Sequence, residues 1–144
     1  LNMGKVVGFL KFIFYVSVLL LIVITLYPGS LLGILWYGDP VLQPNLALNP
    51  YYAPMPKHLY TLASTINHFI AYFYLTMLGL CLYVRSLYFQ KIVYLIFFLS
   101  IFLEVLQFIV PGRAFEIYDV FANLAGVLLA YCLIKVYKFL NSYK

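Results

Sequence analysis

Four apolar runs constrain this chain more than any other feature of its sequence. They cover about residues 6–27, 60–84, 92–110 and 117–137. A helix needs roughly 20 apolar residues to cross a hydrocarbon core about 30 Å thick, and no run shows the strict alternation of a barrel strand. A composition of 66% hydrophobic and 9% charged residues also excludes an ordinary soluble core. The sequence therefore predicts an all-α integral membrane protein, one four-transmembrane-helix bundle spanning residues 1–144.

The segment between the first two predicted helices has a different composition. It contains five prolines, namely Pro40, Pro44, Pro50, Pro54 and Pro56. Proline lacks a backbone N–H and clashes with the preceding helical turn, so this spacing rules out a regular helix. We expect an extended, Pro-rich extracytoplasmic loop.

The basic residues indicate how the helices are oriented. Seven of them fall at one set of helix ends: Lys5, Lys11, Arg85, Lys91, Lys135, Lys138 and Lys144. Only Lys57 and Arg113 fall at the other set. Cytoplasmic loops carry the excess of Lys and Arg, which predicts that both termini are cytoplasmic. Because the formal charge of +5 is spread over helix ends and forms no patch, we expect no nucleic-acid partner.

Several polar side chains interrupt the apolar runs. Glu104 and Gln107 lie about one turn apart in the third run, Asp119 and Asn123 lie in the fourth, and His68 lies in the second. An ionisable side chain in hydrocarbon costs roughly 2.5 kcal/mol or more, so each one requires a reason. All five are expected within two turns of the outer surface. The sequence therefore predicts that they meet.

Two helices carry stripes of small and polar residues at helical spacing. The fourth run has Asp119, Ala122, Asn123, Gly126 and Ala130. The second has Thr61, Ser64, His68, Ala71, Tyr72, Leu75 and Gly79. Small residues let membrane helices approach closely, so we expect both stripes to face the inside of the bundle.

The order and spacing of these polar residues resemble the VanZ-like family of small bacterial membrane proteins, named for a protein associated with teicoplanin resistance. The resemblance rests on His68-Phe69 with Phe73, on Glu104 with Gln107, on Pro111-Gly112-Arg113, and on Asp119, Asn123 and Gly126. It covers about residues 67–133. It implies a multi-pass protein of the bacterial cell membrane with a role in the cell envelope.

The functional interpretation places the polar residues around a cavity open to the outer leaflet. His68, Glu104 and Asp119 are the candidate catalytic residues, because imidazole and carboxyl groups can exchange protons near working pH. Arg113, Gln107 and Asn123 are the candidate substrate-binding residues, and the Arg113 guanidinium suits a phosphate or carboxylate.

Structural roles are the alternative for these residues. Polar side chains in membrane bundles often hydrogen-bond one another between helices, and we expect this first for Gln107 and Asn123. Asp119 is placed to favour the positive end of the fourth helix or to pair with Arg113. No helix offers two metal ligands at a suitable spacing, so neither a metal nor another cofactor is expected. Ser64, one turn from His68, is a weaker candidate nucleophile.

Three functions remain open at this point. The first is a cell-envelope protein that binds a membrane lipid, a lipid-linked cell-wall precursor or a lipoglycopeptide at the outer leaflet, with a link to teicoplanin resistance that the resemblance implies. The second is a membrane enzyme that hydrolyses or transfers a lipid headgroup. The third is a structural subunit that presents the helices to a membrane-protein partner.

Overall fold

The computed structural model describes residues 3–28, 34–35, 38, 57–110 and 115–142, with the side chains of residues 57–63 and 142 excluded. Four long helices are present in these ranges: α1 (Met3–Leu26), α2 (Lys57–Tyr83), α3 (Phe89–Gln107) and α4 (Ile117–Ser142). Each is long and apolar enough to cross a membrane, and the described residues contain no strand. The predicted all-α membrane fold is confirmed. The Pro-rich loop lies outside the described residues and stays a prediction.

The ends of the last two helices differ from the predicted boundaries. α3 ends at Gln107 rather than Val110, because the residue before Pro111 is disfavoured in the helical conformation. α4 continues five residues beyond Tyr137 to Ser142. No Gly or Pro interrupts this stretch, and the Asn141 side chain donates a hydrogen bond to the Tyr137 carbonyl at 3.0 Å.

α2 and α4 form the largest helix–helix interface of the bundle. Their backbones come closest at Gly126 of α4, where a Cβ would lie 2.5 Å from the Phe69 carbonyl oxygen and 2.9 Å from the Phe73 nitrogen. Ala122 and Ala130, one turn to either side, are buried. The predicted small-residue stripe of α4 therefore does face the bundle, and it brings the two helices together.

The apolar core lies between α2, α3 and α4 and extends from the Gly126 contact toward the C-terminal end of α4. Its buried members are Phe14, Tyr72, Leu75, Leu80, Phe89, Ile92, Ile96, Val127 and Ile134. α1 contributes one residue, Phe14, whose ring lies against Gly79 of α2. Most of the apolar surface of α1 is exposed. The last three helices thus form the packed unit that positions the polar residues.

Candidate functional site

A set of polar side chains joins α2, α3 and α4 near the end of the bundle where α4 begins. We call it the polar cluster, and it comprises Ser64, Thr65, His68, Glu104, Gln107, Glu116, Asp119 and Asn123. Because α2 and α4 run antiparallel to α3, the early residues of α2 and α4 meet the late residues of α3.

His68 lies at the centre of the polar cluster. Its Nδ1 is 3.1 Å from Asn123 Oδ1 and 4.0 Å from Glu104 Oε2, and its Nε2 is 3.5 Å from Asp119 Oδ2. Both ring nitrogens therefore face oxygen acceptors. A neutral imidazole donates from one nitrogen only, whereas the imidazolium donates from both. The ring therefore lies between oxygen atoms of α3 and α4.

Asp119 is bound mainly by α2. Ser64 Oγ donates to its Oδ2 at 3.2 Å, and Thr65 Oγ1 donates to its Oδ1 at 3.0 Å. The carboxylate lies in the first turn of α4, where the helix dipole also favours a negative charge. Both of these hydroxyl donors come from a different helix, so Asp119 links α2 to α4. The predicted pairing of Asp119 with Arg113 stays a prediction, because Arg113 lies outside the described residues.

Glu104 is held from its own helix and from the start of α4. Gln107 Nε2 donates to Glu104 Oε2 at 3.5 Å, and the backbone N–H of Glu116 donates to Oε1 at 3.3 Å. Its Oε2 also lies 4.0 Å from His68 Nδ1 of α2. Glu104 thereby connects the end of α3 with both other helices.

Only one of the three central titratable side chains is accessible. The side chain of His68 is 22% exposed, whereas those of Glu104 and Asp119 are 1% and 5% exposed. Charges in such a low-dielectric setting interact more strongly than in water. The imidazole is therefore the accessible part of this group, and the two carboxylates lie behind it.

Glu116 adds a third carboxyl at the rim of the polar cluster, just before α4. Burial raises the pKa of Glu116 above its usual value, and the nearby Asp119 carboxylate adds to this effect, while His68 opposes it. Glu116 Oε2 has no hydrogen-bond partner among the described residues. This group therefore holds its proton more readily than a solvated glutamate does.

The arrangement suits proton exchange better than nucleophilic or metal chemistry. Ser64 directs its hydroxyl hydrogen bond to Asp119 and not to His68, so it is not activated as the weaker hypothesis required. No three His, Cys, Asp or Glu side chains converge as metal ligands within the described part of the chain. An accessible imidazole in contact with buried carboxylates can give or take one proton.

The structure brings together five of the six residues predicted for the site: His68, Glu104, Gln107, Asp119 and Asn123. Arg113 lies outside the described residues, and its role stays a prediction. Sequence reasoning missed the hydrogen bonds of Ser64 and Thr65 to Asp119. The helical spacing of Ser64 and His68, which places both on one face of α2, was the available signal for the first of them.

The family model described as VanZ/LLP1 matches residues 12–138, which is most of the chain and includes the whole polar cluster. No curated protein and no solved structure matches the chain.

Proposed function

The chain belongs to the VanZ/LLP1 family, and from this premise we propose that it is a cell-envelope membrane protein that binds a lipid-linked or lipoglycopeptide ligand through the polar cluster. The ligand reaches the polar cluster from the outer leaflet. Binding there links the protein to resistance against glycopeptides such as teicoplanin.

One observation carries this proposal. His68 keeps 22% of its side chain exposed although its ring contacts buried Glu104 and Asp119. Purely structural histidines in a bundle have no need of an accessible edge. The combination of a fixed ring and an accessible edge is typical of a binding group whose orientation is set in advance.

Each residue has a distinct part in this proposal. His68 contacts the ligand, while Asn123 and Asp119 hold its ring from α4. Glu104 lies behind the ring, with its Oε2 4.0 Å from Nδ1. Arg113, in the Pro-Gly-Arg turn before α4, is the proposed partner for a phosphate or carboxylate of the ligand, since its guanidinium can bind either group through two hydrogen bonds.

The test compares function with stability in two variants. His68→Ala and Glu104→Gln should each reduce teicoplanin tolerance of expressing cells, and weaken binding of teicoplanin to purified protein, by roughly ten- to a hundredfold. Their melting temperatures should stay near that of the wild type, because Ser64 and Thr65 still donate to Asp119.

Thr76→Val is the matched control. Thr76 is fully buried on the same helix, and its hydroxyl has no hydrogen-bond partner among the described residues. This variant should keep both binding and tolerance. Wild-type binding by the His68 and Glu104 variants would contradict the proposal.

A structural function is the second candidate, and the cross-helix hydrogen bonds of Asp119 favour it. In that case the polar cluster only holds the helices together for a larger membrane complex, at about 0.6 kcal/mol for each hydrogen bond. His68→Ala and Glu104→Gln would then lose melting temperature and function in parallel. Mass spectrometry of envelope lipids incubated with the protein separates binding from catalysis, because only an enzyme yields a cleaved or transferred headgroup.

A further inference from the structure

Four lysines lie over aromatic rings at the end of the bundle opposite the polar cluster. We call this the basic end, and it comprises Lys11, Lys91, Lys135 and Lys138. No carboxylate within the described ranges forms a salt bridge with any of them, since the acidic residues Glu104, Glu116 and Asp119 belong to the other end. These four positive charges are therefore not neutralised within the described part of the chain.

Two of the lysines share one pair of packed rings. Lys138 Nζ lies 4.4 Å from the centre of the Phe89 ring, and Lys135 Nζ lies 5.4 Å from the centre of the Tyr131 ring. The two ring centres are 6.1 Å apart. Packing of α3 against α4 thus brings together the two rings that hold these ammonium groups.

The other two lysines repeat this arrangement on a second ring pair. Lys91 Nζ is 5.3 Å from the Tyr88 ring centre, and Lys11 Nζ is 5.6 Å from the Tyr83 ring centre. These two ring centres are 6.5 Å apart. The Tyr83 hydroxyl also lies 3.1 Å from that of Tyr15, which fixes α1 beside this pair.

Ring contacts restrict lysine side chains that would otherwise move freely. An ammonium over an aromatic face is attracted to the ring and loses part of its conformational freedom before any ligand arrives. Ligand binding then costs less ordering entropy. The ammonium groups keep free N–H donors for phosphate oxygens.

We propose that the basic end is a binding site for the phosphate groups of anionic phospholipids, with the two ring-held lysine pairs as its ligands. Tyrosine rings and lysines at the same level are typical of a membrane–water interface, where lipid phosphates are the abundant anions. The lipid supplies the negative charge that the described chain lacks at this end.

The experiment measures lipid binding by the full chain. Purified protein is titrated with phosphatidylglycerol, phosphatidylcholine or inorganic phosphate, and binding is followed by native mass spectrometry and by melting temperature. Phosphatidylglycerol should bind and stabilise the wild type, whereas phosphatidylcholine and inorganic phosphate should have little effect. Stabilisation by inorganic phosphate alone, equal to that by the lipid, would overturn the assignment to a lipid.

Charge variants test which lysines bind. The Lys135→Gln, Lys138→Gln double variant should bind phosphatidylglycerol about 25-fold more weakly, from about five-fold for each lysine. The double variant with Arg at both positions should keep the affinity. Lys5→Gln is the control, because Lys5 belongs to the same end and has no aromatic ring partner among the described residues. Equal losses per lysine in the Lys5 variant and the double Gln variant would overturn the proposed site in favour of general attraction.

A ring variant tests the pre-ordering. Tyr88→Leu keeps every charge and removes the ring beneath Lys91 together with its packing against the Tyr83 ring, at a position that is 55% exposed and so tolerates the change. It should weaken phosphatidylglycerol binding several-fold while leaving the melting temperature without lipid unchanged. Unchanged lipid affinity would contradict the role of the rings.

Discussion

Thr65 and Thr76 lie on the same helix, and a comparison of the two shows how much a hydrogen bond to the polar cluster contributes to stability. Thr65 donates to a buried carboxylate at 3.0 Å, whereas the Thr76 hydroxyl has no partner among the described residues. Hydrogen bonds to charged groups stabilise more than neutral ones, and a buried hydroxyl without a partner is unfavourable.

We therefore predict opposite effects of one substitution at these two positions. Thr65→Val should destabilise the bundle by roughly 1–2 kcal/mol, because Asp119 Oδ1 loses a donor. Thr76→Val should be neutral or stabilising. Reversible unfolding in detergent micelles measures both changes. Equal destabilisation by the two substitutions would show that the Thr65 hydrogen bond contributes nothing specific.

The polar residues could be grouped from sequence, but their individual partners could not. Position along an apolar helix sets the depth of a side chain in the membrane, which is why His68, Glu104 and Asp119 were predicted to meet. The rotation of each helix about its own axis decides which atoms then touch. That rotation depends on packing at Gly126, so the donors of Asp119 became visible only in the structure.

At the level of the helices, the polar cluster can form only because α2 and α4 pack closely together. Gly126 lies one turn from Asn123, and its missing Cβ leaves room for the backbone at Phe69, the residue after His68. Backbone atoms cannot give way as a flexible side chain can. Any larger residue at position 126 must separate the two helices.

Gly126→Ala should therefore destabilise the protein by about 2 kcal/mol or more and impair ligand binding at the same time. A milder effect is expected for Gly79→Ala, because the atoms close to that position belong to the Phe14 and Ile92 side chains. Gly8→Ala is the control: it faces open space and should stabilise α1 by a few tenths of a kcal/mol to about 1 kcal/mol. Melting temperatures that do not follow this order would contradict the close-contact role of Gly126.

The four helices themselves were predictable, because long apolar runs leave a chain few other choices. Which of these helices pack against each other was harder to predict from the sequence. Neighbours along the chain often pack together, yet here α2 makes its largest contact with α4. The small residues on α2 and α4 favoured this pairing. A stripe of small residues, however, does not indicate which helix it packs against.

At the scale of the whole molecule, the charges are separated between two ends. The basic end carries four lysines, and the polar cluster carries three carboxyl groups and one histidine. Because Lys and Arg concentrate on the cytoplasmic side of membrane proteins, this separation favours the orientation expected from the sequence.

Cysteine labelling tests that orientation. In a background with Cys81→Ser and Cys132→Ser, which removes two exposed thiols, Asn45→Cys and Arg113→Cys should react with an impermeant maleimide added to whole cells. Ser86→Cys, in the turn between α2 and α3, should react only after the membrane is permeabilised. The reverse pattern would place the polar cluster at the inner leaflet and exclude the proposed ligands.

The pairing of α2 with α4 also sets the order in which the bundle assembles during synthesis. α2 is the least apolar of the four described helices, and its Ser64 and Thr65 side chains donate to a carboxylate of α4, which is synthesised after α2 and α3. Until α4 enters the membrane, these hydroxyl groups lack that acceptor. The bundle therefore closes only once α4 has been inserted. A ribosome that stops before Asp119 releases a chain without the residue that joins α2 to α4.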